Sequence, residues 1–67
     1  MNGYRLYVKP QGLERFLPVD WSTGTVVHKL IHATVFTAAE RDQIVKEDLS
    51  HPSYADLVYE FRPVKAG

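Results

Sequence analysis

The four residues Thr37-Ala38-Ala39-Glu40 constrain this chain more than any others. A threonine hydroxyl in this position accepts the N–H of the third helical residue. A glutamate at that residue reaches back to the threonine N–H, so two donors orphaned at a helix start are satisfied together. Alanines fill the first turn with high helix propensity, and Glu40 and Asp42 sit at the positive end of the helix dipole. Asp42 and Lys46 form an i, i+4 pair in the better orientation, worth about 0.3 kcal/mol. Ile44, Val45 and Leu49, with Ala38 and the stem of Arg41, make a narrow apolar stripe, and Ser50-His51-Pro52-Ser53 ends it. One helix therefore starts at Thr37, and its stripe needs an apolar surface to cover.

Period-two segments supply that surface. Tyr4, Leu6 and Val8 alternate with Arg5, Tyr7 and Lys9, which marks a half-buried strand. Lys9-Pro10-Gln11-Gly12 reads as a turn, and Leu13 to Val19 as a second strand completing a hairpin. Pro18 suits an edge or a strand end, because it cannot donate to a ladder. Asp20-Trp21-Ser22-Thr23-Gly24 is a loop by composition. Ala33 to Phe36 reads as strand, whereas Val26 to His32 fits either a strand or a short helical turn. Leu57, Tyr59 and Phe61 alternate in a closing strand that ends at Pro63. Met1–Gly3 and Lys65–Gly67 read as frayed ends.

The expectation is one α+β domain spanning residues 1–67. It has a small, mainly antiparallel sheet of three to four strands with one helix packed on one face, in the order β-β-(β)-α-β. Tyr4/Leu6/Val8 and Leu57/Tyr59/Phe61 should face Ile44, Val45 and Leu49.

Three stretches together resemble a known group: Ala33-Thr34-Val35-Phe36-Thr37-Ala38-Ala39-Glu40, then Ile44-Val45, then Tyr59-Glu60-Phe61-Arg62-Pro63-Val64. In this order they are similar to small phage and prophage proteins of unassigned function. Those proteins open with a strand hairpin, lead into a helix through an Ala-x-x-Phe-Thr-x-x-Glu pattern and finish with a strand ending near Pro-Val. The resemblance implies the same fold and a phage or prophage origin, and it brings no catalytic residues.

A chain of 67 residues buries only about 60% of the surface its unfolded form exposes, so its core is thin. With no cysteine, disulfides and thiolate metal sites are excluded, which leaves local packing or a partner subunit as reinforcement. No apolar run reaches the length of a signal peptide or a membrane span, so the expectation is a soluble, cytoplasmic protein without membrane partners. Eight basic and eight acidic side chains cancel, which removes the global field of a non-specific nucleic-acid binder. Residues 1–36 carry four basic and two acidic side chains, and residues 37–67 four basic and six acidic, a modest dipole along the chain.

The inventory argues against catalysis. Ser22, Ser50 and Ser53 lie in turn-like contexts with no nucleophile elbow, and Glu47 and Asp48 point to different helix faces. The glycines form no phosphate loop. A domain this small also seldom encloses a pocket of several hundred Å3. No cofactor is expected. His28 and His32 would share one face of a helix, as a metal site requires, but on a strand they would stand roughly 13 Å apart, so the plainer reading is two solvated histidines.

The leading expectation is a non-enzymatic protein-interaction module, a phage- or prophage-encoded binder or regulator. Its contact surface is the open face or edge of the first hairpin with the Trp21 loop: Arg5, Tyr7, Arg15 and Trp21. Trp21 has a competing role as a cap on the core. The partner is another protein or a second copy, the latter making a homodimeric structural protein. The alternative is single-stranded nucleic-acid binding by Arg5, Tyr7, Lys9 and Trp21, with the aromatics stacking on bases.

Overall fold

The computed structural model describes residues 2–65. Five strands form one antiparallel sheet: β1 (Asn2–Lys9), β2 (Leu17–Asp20), β3 (Thr25–Val26), β4 (Val35–Phe36) and β5 (Val58–Lys65). The single helix, α1 (Ala38–Gln43), continues without a break as a π-helical segment, Ile44–Asp48. The fold is the expected small α+β arrangement.

The strand β1 is the centre of the sheet. On one edge it pairs with β5 along its whole length, from Asn2 opposite Lys65 to Lys9 opposite Val58. Its other edge is shared end to end, with β4 beside Tyr4 and Arg5 and β2 beside Tyr7 and Val8. β3 adds to the outside of β2, pairing Val19 with Val26 and Asp20 with Thr25. Asn2, Gly3 and Lys65 are thus tied into the ladder rather than frayed, while Met1, Ala66 and Gly67 lie outside the described residues.

The capping box forms as read. Glu40 N–H donates to Thr37 Oγ1 at 3.1 Å, and Thr37 N–H donates to Glu40 Oε1 at 2.8 Å. Beyond the first turns the helix departs from expectation. Ile44 and Leu49 are both buried, although in an α-helix residues five apart point about 140° away from each other. The π-turn resolves this conflict, because the Leu49 N–H bonds the Ile44 carbonyl at 2.9 Å and brings both side chains onto the sheet. Val45, expected in the stripe, is left 37% exposed as a result. The expected Asp42–Lys46 pair is replaced by contact of Asp42 with Arg41 at 3.0 Å. Gln43 instead bonds Glu47 four residues on, at 2.9 Å.

Leu6, only 1% exposed, is the centre of the core, with Val19, Phe36, Ile44 and Leu49 around it. Val8, Trp21, Leu57, Tyr59 and Phe61 pack against this cluster. The even-numbered face of β1 therefore lies under the helix, as its alternation required.

Several strand limits differ from the sequence reading. The first turn sits one residue later than Lys9–Gly12, with the Leu13 N–H bonded to the Pro10 carbonyl. Its third position needs positive φ, and Gly12 supplies it at 90°, so the glycine outranks the proline in placing the turn. Residues 10–16 all belong to this connection, and β2 begins only at Leu17. Pro18 lies within β2, which has neighbours on both sides, so it marks a strand start and not an edge. Residues 25–32 divide between β3 and a 3-10 turn at Leu30–His32, which leaves Ile31 84% exposed. β4 is shorter than Ala33–Phe36, and β5 runs through Pro63 to Lys65. No helix among the described residues is long and apolar enough to cross a membrane.

Candidate functional site

Among the described residues no helix or strand packs on the face of the sheet opposite α1. By alternation it carries Gly3, Arg5, Tyr7 and Lys9 of β1 beside Val64, Arg62, Glu60 and Val58 of β5. Arg62 organises its centre. Its guanidinium lies 4.3 Å from the Tyr7 ring centroid and 5.7 Å from that of Phe16, and it meets Glu60 at 3.0 Å. The hydrogen bond that Arg62 donates to Glu60, with the charge of that carboxylate, raises the affinity of Arg62 for its proton. Tyr7, shielded by this arrangement, is only 9% exposed.

Arg5 stands directly opposite Arg62 across the β1–β5 ladder. Like charges in that position repel, and Arg62 relieves the conflict by turning to Glu60 and Tyr7. Arg5 has no such outlet. Its Nε is buried without a hydrogen-bond partner, and neither Arg5 nor Lys9 makes an ion pair among the described residues. The open face thus presents two uncompensated cations beside a fixed Arg62–Glu60 pair.

The other residues singled out from the sequence are dispersed. Trp21 lies on the opposite side, half-buried, with its ring edge-on to Phe36 at 6.1 Å and its backbone N–H donating to Thr34 Oγ1 at 2.8 Å. It caps the core and shares no surface with Arg5 and Tyr7. Arg15 is exposed in the connection before Phe16. The first hairpin offers no free edge either, since both edges of β1 are occupied and β3 covers β2; the long free edge among the described residues is that of β5. Arg62 and Phe16 were missed by sequence reasoning. Alternation placed Arg62 on the open face but set Phe16 on the other, opposite Arg15; Phe16 instead lies in the connection before β2 and reaches Arg62, and nothing in the sequence brought Arg62 onto Tyr7.

His28 lies in a bend and His32 in the 3-10 turn, both exposed. No group of three or more His, Asp or Glu side chains among the described residues is placed to hold a metal ion. His51 Nδ1 accepts from the Ser53 amide at 3.1 Å and lies 2.8 Å from the Ser53 hydroxyl. Because Nδ1 already accepts from the amide, the hydroxyl donates to it as well, and this imidazole caps the Pro52–Tyr54 turn.

Two clefts on the described residues are open to solvent. One of about 660 Å3 lies between the Lys9–Glu14 connection and the Ser53–Val58 segment. The other, of about 440 Å3, lies on the helix side between Val8, Val19, Trp21, Val26, Leu49 and Leu57.

No protein-family model, curated protein or solved structure matches this chain.

Proposed function

We propose that the protein is a non-enzymatic interaction module whose open sheet face holds an acidic stretch of a partner protein. The observation that carries this reading is Arg5, a cation set against Arg62 in the ladder and left without a counter-ion. A carboxylate supplied by a partner would satisfy it, and Lys9, four residues along the strand on the same face, offers a second contact. Phe16 and Val58 supply apolar surface at the margins. The likeness of the helix start and the closing strand to small phage and prophage proteins supports a phage- or prophage-encoded binder or small regulator. The lack of cysteine supports action in the cytoplasm.

Panning a displayed random-peptide library against the protein tests the reading. Enriched peptides are expected to be rich in Asp and Glu and to shift the amide resonances of Arg5, Tyr7 and Lys9. Arg5→Glu should weaken their binding by about tenfold or more. Enrichment of basic or wholly apolar peptides, or shifts confined to the helix side, would overturn it. Tight, salt-dependent binding of single-stranded oligonucleotides at the same amides would favour the nucleic-acid alternative, although Arg62 covers the Tyr7 ring on which a base would have to stack.

A further inference from the structure

The edge of β5 that turns away from β1 is eight residues long and has no strand partner among the described residues. Such an edge is a template for another strand unless it is blunted. Here Pro63 alone removes a backbone donor.

The sequence along this edge is nearly its own complement. Reading outward from Phe61, Glu60 is matched by Arg62, Tyr59 by Pro63 and Val58 by Val64. When two copies of one strand pair antiparallel about a two-fold axis, the axis stands perpendicular to the sheet and both helices stay on the same side. Facing residues must then share a sheet face, so the axis falls at a residue. An axis at Glu60 sets two glutamates against each other, and one at Arg62 sets two arginines together; both are repulsive. An axis at Phe61 instead sets Glu60 of each copy against Arg62 of the other, and Val58 against Val64.

We propose that β5 pairs antiparallel with β5 of a second copy about a two-fold axis at Phe61, joining the two sheets into one. The side chains concerned are available. Glu60 and Arg62 remain 41% and 47% exposed despite their contact within the chain, and Val58 is 51% exposed. This inference concerns the outer edge of β5 and does not depend on Arg5 or on an acidic partner.

Sedimentation equilibrium of the whole chain tests it. The wild type should sediment at twice the chain mass at high micromolar concentration. Glu60→Arg and Arg62→Glu should each weaken self-association by about tenfold or more, because like charges then face each other twice across the axis. An equimolar mixture of the two variants should associate again, since every facing pair becomes opposite in sign. A monomeric wild type overturns the proposal, as do single variants that dimerise like the wild type or a mixture that stays monomeric. Circular dichroism checks that each variant folds. If one does not, a mixed sample of isotope-labelled and unlabelled wild type decides. Contacts between the Val58 methyls of one chain and the Val64 methyls of the other support the register, and a dimer without them refutes it.

Discussion

Val35 lies across Gly3 so closely that a β-carbon on Gly3 would sit 2.5 Å from Val35 Cγ1 and 3.0 Å from the Phe36 carbonyl oxygen. The first of these contacts involves a side chain that can be trimmed, the second a backbone that cannot. Gly3→Ala is therefore expected to push β4 from β1 and to destabilise the fold by about 1–3 kcal/mol, read by chemical denaturation. Adding Val35→Ala should recover part of the loss. Full stability of the single variant would mean that the two strands lie farther apart than described.

The capping box carries a second prediction. Thr37→Ala removes the acceptor for the Glu40 N–H and should cost about 1 kcal/mol, with the loss read as a lower denaturation midpoint at unchanged slope. Glu40→Ala on that background should cost less than it does alone, because the two side chains serve one another.

Phe36 touches aromatic edges on both sides, Trp21 at 6.1 Å and Phe61 at 6.0 Å. Phe36→Ala should cost about 3–5 kcal/mol, comparable with the whole stability of so small a domain. Its readout is Trp21 emission, which should shift to the red as the indole loses its neighbour. Phe36→Leu should keep the fold and shift the emission less.

The turn after β2 is sensitive to acid. The Ser22 hydroxyl bonds Asp20 Oδ1 at 2.6 Å and the Ser22 N–H bonds the same oxygen at 3.0 Å. These bonds, the hydroxyl's above all, hold the Asp20 carboxyl below its ordinary pKa of 3.8. A group with a depressed folded value contributes its stability above the unfolded pKa and loses it as pH falls through the folded one. An NMR titration of Asp20 should accordingly find its midpoint below 3.8, and Ser22→Ala should raise it. A midpoint at or above 3.8 in the wild type would show that these bonds do not persist in solution.

What the sequence disclosed was local. The Thr37–Glu40 box and the alternation of Tyr4 to Lys9 and of Leu57 to Phe61 depend on neighbours within a turn or two, and all three formed. Features decided by distant contacts were hidden. Burial of Ile44 together with Leu49 needed the sheet beneath them, and only then does a π-turn become favourable. The length of β5 was hidden because Pro63 signals a stop, yet a ladder with β1 carries the strand past it. The open face was half legible. Parity put Arg5 and Tyr7 side by side, but the cover that Arg62 gives Tyr7, and the isolation of Arg5 that follows, depend on strand order.

The ladder between β1 and β5 ties residues at opposite extremes of the described chain. Its formation must close at least the loop from Lys9 to Val58 before any of its hydrogen bonds is gained, which is the circumstance that slows folding among domains of similar size. During synthesis β2, β4 and the helix can reach β1 first, but the edge of β1 that takes β5 stays unpaired until residues 58–65 have emerged from the ribosome. Until then that edge is left to whatever chaperone or neighbouring chain it meets first.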